Sequence, residues 1–165
     1  MLRKGYIEQQ IEGLTQAMAR LLGLGADDRD TALQEISLAA RDLTGLNPES
    51  LIALSDDSVL TMFVGGDRSR TAGNSYVMAR LLTERAEWDE PNARRLRRKA
   101  LVLFAEALAQ EPTLHTSDVI AEFGALLKRV PQADWTPLLL AQLKRAQEAM
   151  AEAKADREDP GPPQT

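Results

Sequence analysis

The sequence contains no cysteine and a single histidine, and aromatic residues fill only 4% of its 165 positions. Each scarcity excludes a class of chemistry. Without thiols there is no disulfide, no thiolate nucleophile and no cysteine-ligated zinc site. A lone His115 builds no catalytic triad unless a nucleophile and an orienting acid stand beside it. It precedes an expected helix cap, so it reads as a solvated loop residue. Too few rings are present to interleave with basic residues and stack on bases. Positive charge is not in excess either. Twenty Lys and Arg against 25 Asp and Glu give a net charge of −5, which exerts no general pull on nucleic acid or anionic lipid.

Long apolar runs are also missing. No stretch approaches the roughly 18 residues that a membrane span needs. Glu8, Gln9, Gln10 and Glu12 interrupt the segment after Arg3 and Lys4, where a secretory signal requires continuous apolar residues. The expectation is a cytoplasmic protein with a protein partner, and with no cofactor, no nucleic acid and no membrane among its partners.

What is abundant is Ala, Leu, Glu and Arg, while β-branched residues never alternate over a strand-length window. That composition predicts an all-α protein. A first helix is expected from about Leu2 to Leu22, because Ile7, Ile11, Leu14, Met18 and Leu21 step by four and three along one face. Gly23 and Gly25 end it. Asp27, Asp28 or Asp30 caps a second helix that buries Ala32, Leu33, Ile36, Ala39 and Leu43 and stops at Gly45. Asn47-Pro48 restarts the chain with a cap and a proline at the first helical position, giving short helices over 48–54 and 56–63. Gly65-Gly66-Asp67 is a helix stop, since it lacks both the spacing of a phosphate loop and a preceding strand.

Long helices follow from Ser69 to Trp88 and from Pro91 to Pro112, the second presenting Leu96, Ala100, Leu103, Phe104, Ala107 and Leu108. Thr116 or Ser117 caps a helix that buries Val119, Ile120, Phe123, Leu127 and Val130 and ends at Pro131. Thr136-Pro137 opens the last, with Leu139, Leu143, Ala146, Met150 and Ala153 in line. About six long and two short helices form one domain over 1–155. Residues 156–165, with three prolines and no apolar face, are expected to be a disordered tail.

Ala100, Phe104, Ala107 and Pro112, at spacings of four, three and five, resemble the second helix of a tetratricopeptide repeat. Ala32, Ile36 and Ala39 repeat the first three positions. The first helix of such a repeat departs from the pattern, because Glu84, Glu87, Trp88 and Pro91 stand where its signature residues belong. The opening 1–7 and the Leu21-Leu22-Gly23-Leu24 helix end are similar to a bacterial family of small helical proteins, a likeness that implies no activity. The repeat resemblance implies antiparallel helix pairs in a right-handed array and a non-catalytic interaction module or adaptor.

Two charged groups compete for a role. Glu84, Glu87 and Glu90 fall three apart, so they share a helix face, and clustered carboxylates suit magnesium. They resemble half of the metal site of all-α nucleotide pyrophosphohydrolases, although no second Glu-x-x-Asp follows. A metal-dependent hydrolase is thus the alternative function. Arg94, Arg95, Arg97, Arg98 and Lys99 crowd the first turns of a helix, where the dipole disfavours positive charge. Arg94, Arg95 and Arg98 are the candidate partner-binding residues, to be met by an acidic protein surface. A solvated face and a phosphate contact are the competing readings. The stripe on the last helix allows a further possibility, a structural homodimer.

Overall fold

The structure, a computed structural model, describes residues 5–159 and residue 161. Among them eight α-helices follow one another: α1 Tyr6–Leu22, α2 Arg29–Thr44, α3 Pro48–Ile52, α4 Asp56–Phe63, α5 Arg68–Trp88, α6 Ala93–Gln110, α7 Ser117–Arg129 and α8 Pro137–Glu158. No strand occurs among the described residues. The expected fold class, all-α with six long and two short helices, is what the chain adopts. None of its described helices is long and apolar enough to cross a membrane.

Local chemistry sets most helix ends. The side chains of Asn47, Ser55, Asp67, Thr116 and Thr136 each accept a backbone N–H in the first turn of α3, α4, α5, α7 and α8. Each thereby satisfies one of the donors a helix start leaves free. Gly45 closes α2 in the left-handed conformation, φ 78°. Asp28 precedes α2 but its carboxylate accepts the Gly25 N–H at 2.9 Å instead of capping its own helix. Helix α8 continues through Glu158, three residues past the expected domain end at 155. Of the expected tail, 160 and 162–165 lie outside the described residues, as do 2–4 of the expected first helix.

Hydrogen-bond partners give the helix directions. Arg20 of α1 meets Glu35 of α2, and Gln10 reaches the Leu43 carbonyl, so these helices are antiparallel. Arg68 meets Gln110, and Arg97 meets Glu87, which makes α5 and α6 antiparallel too. These two share the most extensive contact in the molecule. Helices α1 and α2 lie on α5, whereas α4, α7 and α8 lie on α6. Helix α8 runs parallel to α6, because Arg94 pairs with Asp134 and Arg145 with Glu106. Gly73 permits the approach of α1, since a Cβ there would stand 3.1 Å from the Tyr6 ring.

Position at the centre explains why α6 is buried all round. Every residue from Lys99 to Leu108 is shielded, not only one face. Phe104 fills the middle, edge-on to Tyr76 at 5.4 Å and tilted against Phe123 at 5.3 Å, so one ring joins α5, α6 and α7. Helix α7 is rotated from the expected register: Ile120 is exposed, and Leu126 joins Val119 and Phe123 inside. Phe123 against Phe104 sets that rotation, and Leu126 shares its face at i+3.

Two polar networks are enclosed with this helix. Asp56, at the start of α4, accepts from Lys99 Nζ at 2.8 Å and Arg98 Nε at 2.6 Å. Lys99 is 2% exposed. Glu106 accepts from Gln142, Gln110 and Arg145, which fastens α8. Burial pushes both carboxyls up, but these hydrogen bonds and the neighbouring cations outweigh it. Both sit below their ordinary values.

Asp56→Ala strands a buried ammonium, so it is expected to cost roughly 3–5 kcal/mol in denaturant unfolding, and Lys99→Met in the same chain to restore most of the loss. The folded value of Asp56 is depressed, so its contribution is complete above the unfolded value of about 4 and lost as pH falls through the folded one. Asp56→Asn should therefore flatten the acid limb of the stability curve. An unchanged limb would show that the ion cluster contributes nothing.

Candidate functional site

The structure disperses the basic cluster onto internal acids. Arg94 forks onto Asp134, with Nε–O and Nη2–O distances of 3.1 and 2.5 Å. Arg98 and Lys99 hold Asp56, and Arg97 Nη2 lies 3.4 Å from Glu87. Arg95 alone is exposed and unpaired. The cluster is not one continuous exposed face: of the candidate partner-binding residues Arg94 and Arg95 are exposed and Arg98 is half-buried, as is Arg97, while Lys99 is buried. Its partners, Asp56 and Asp134, are 42 and 36 positions from Arg98, and only the packing of α4 and α8 against α6 brings them in.

The acidic run is equally divided. Glu87 is bound by Arg129 and Arg97. Burial, reinforced by Glu87, raises the carboxyl of Glu84, while Arg80 opposes the shift. Glu90 lies in a separate turn of 3-10 helix. Among the described residues no group of three or more His, Asp or Glu is arranged to hold a metal ion. His115 is not a solvated loop residue. It is 5% exposed, and its Nε2 donates to the Leu108 carbonyl at 2.7 Å. That carbonyl is one of the last four of α6, which have no partner within the helix.

A different constellation emerges where α1, α5 and α7 meet. They enclose a cleft of about 370 Å³. On one side lie Ile11, Leu14 and Met18 of α1; on the other, Leu114 and Val119. The stripe expected to fill the core is thus turned. Gln10, Leu14, Ala17 and Leu21 face inward, while Ile7, Ile11 and Met18 are half-buried at its edge. The rotation follows from Gln10, which is held inside by hydrogen bonds to the Leu43 carbonyl and to Asn74 Oδ1, each 2.7 Å long.

A closed polar group borders the cleft. The Tyr76 hydroxyl donates to Glu122 Oε2 at 2.9 Å and accepts from Arg80 Nη1 at 3.2 Å, and Arg80 pairs with Glu122. Burial pushes the Tyr76 phenol up to about 12, with Arg80 pulling against the shift and Glu122 adding to it. The phenol is therefore a hydrogen-bond donor near neutrality, and it holds Glu122 in place across the gap between α5 and α7. Beyond this bridge a second hollow of about 220 Å³ continues past Thr83, Leu126 and Arg129. Since Tyr76 and Arg80 share one face of α5, Glu122 extends α7 over that face without closing it.

Neither Arg80 nor Glu122 stands out in the sequence. The one local signal is Tyr76-x-x-x-Arg80, a polar pair one turn apart on a helix otherwise buried around it.

The dispersed cluster leads to a stability test. Arg98→Glu sets two carboxylates against one buried lysine, so it is expected to lose well over 1 kcal/mol, because it disrupts a buried charge network. Arg95→Glu should stay within about 0.5 kcal/mol, as surface substitutions usually do. Equal melting temperatures for the two variants would mean that the Arg98–Asp56 contact is not formed in solution. No protein family model, no curated protein and no solved structure matches this chain.

Proposed function

We propose that the protein is a non-catalytic interaction module or adaptor of the tetratricopeptide-like kind, whose cleft between α1, α5 and α7 receives a segment of a partner protein. The observation that carries this reading is a cleft lined by the half-buried Ile11 and Met18 of α1, with the buried Leu14, Leu114 and Val119 beneath them. Apolar surface left beside water in this way marks contact sites when it is concave and bordered by polar groups.

Helix directions support the array. Tyr76 and Arg80 meet Glu122, and Glu87 meets Arg129, so α7 runs parallel to α5. Helices α6 and α8 are parallel as well. Alternate helices pointing the same way are what successive helical pairs produce, with the first helix of each pair on the inner surface. Small residues permit the close approach: Ala72, Ala79, Ala100 and Ala107 are all fully buried. Helices α7 and α8 depart from a regular pair, each resting chiefly on α6. The gap this leaves beside α7 is the cleft itself.

Selection of displayed helical peptides against the full chain tests the reading. Bound peptides should slow amide exchange over 11–18 and 113–122. Met18→Arg should weaken them by about tenfold or more, roughly 1.4 kcal/mol, with the melting curve intact because Met18 is only half-buried. Failure to select any peptide, or protection confined to other helices, would remove the proposal.

A further inference from the structure

Resting on the interaction-module reading, we infer that the occupant of the cleft is an amphipathic helix whose apolar face is flanked by lysine or arginine. Shape argues first for a helix. Edge pairing needs an exposed strand, and none exists among the described residues. The cleft instead has two helical walls and an apolar stripe from Ile11 to Met18. Seven residues of helix rise by roughly 10 Å, the length over which anchors at i, i+3 or i+4 and i+7 of a docked helix are spaced. The Arg80–Glu122 bridge limits the site at its far end, separating it from the hollow beside Arg129.

Charge then selects among helices. Among the described residues Arg80 is the one cation lining the cleft, and Glu122 neutralises it while the Tyr76 hydroxyl takes one of its hydrogens. Asp118, on the α7 wall, is exposed and forms no ion pair or hydrogen bond. On α1, Glu8 does not line the cleft itself but stands about one turn before Ile11 and two before Thr15, which do, at helical spacings that put it beside the cleft's rim. It too is exposed and unpaired. The apolar floor therefore has the free carboxylate of Asp118 in its wall and that of Glu8 just beyond its rim, with no free cation among the described residues that line it. A helix bearing Glu or Asp beside its apolar anchors meets like charge at both, whereas Lys or Arg meets opposite charge at both. Arrangements of this kind speed encounter and reject wrong partners more than they add affinity.

The probe is a displayed library of amphipathic helices with a fixed apolar register and randomised flanking positions, selected against the full chain. Among binders that Met18→Arg abolishes, the flanks are expected to be enriched in Lys and Arg. Affinity should fall as salt rises, since these charges are exposed and screened. In the Glu8→Lys/Asp118→Lys chain the enrichment should invert towards Glu and Asp; both reversals fall in the first turn of a helix and lower the melting temperature somewhat, so binding is read where both chains are fully folded. Met18-sensitive binders with acidic or uncharged flanks, or with affinity indifferent to salt, would overturn the charge inference and leave the interaction module standing. A selection that yields no binder, or only binders indifferent to Met18→Arg, would instead overturn the module and the inference together.

Discussion

Enclosure of α6 is the constraint on which the rest of the molecule depends. Its residues from Lys99 to Leu108 are covered on every side, so each charge among them must be matched within the protein. An unpaired buried charge costs several kcal/mol. Lys99 draws in the start of α4 through Asp56, and Glu106 draws in the middle of α8 through Gln142 and Arg145. Gln142 also donates to the Val102 carbonyl at 3.1 Å. The apolar residues of α6 would accept many neighbours in many registers. The two charges reduce that freedom, because α4 and α8 satisfy them only at one offset along the helix.

Much of the helical pattern was legible because its signals are local. Asn47-Pro48, Thr136-Pro137 and Gly45 act within one turn of themselves, and the chain starts or stops a helix at each. Burial was less legible where a helix has more than one neighbour. A four-three stripe identifies the most apolar face, yet Gln10 rather than Ile11 points inward on α1, since its amide finds acceptors on α2 and α5. Ile120 gives way to Leu126 on α7 for a similar reason, the position of Phe104. In both cases a long-range contact rotates the helix by a fraction of a turn, and no periodicity contains that contact.

Charges were the hardest feature to read. Five basic residues in six positions look like a surface meant for something outside the chain, whereas four of the five are bound to internal acids. Their location at the start of α6 makes physical sense once Asp56, Glu87 and Asp134 are in place, because these anions offset the unfavourable interaction with the helix dipole. The cleft residues escaped notice for the opposite reason. Arg80 and Glu122 are single charges in unremarkable settings, 42 positions apart. Only the parallel course of α5 and α7 makes them a bridge.

These two outcomes are connected. Ion pairs that fasten α4, α5, α7 and α8 engage Arg80, Arg97, Arg98, Lys99, Arg129 and Arg145 with acids of the same chain. Arg80, which lines the cleft, is held by Tyr76 and Glu122 in a tie between α5 and α7, and Ile11 and Met18 of α1 are left half-buried beside it. Removing the bridge would not simply add a binding charge. With Glu122 gone, Arg80 would be a half-buried cation without a carboxylate, and α7 would lose its polar tie to α5. The same group that borders the cleft therefore also ties α7 to α5, through Tyr76, Arg80 and Glu122.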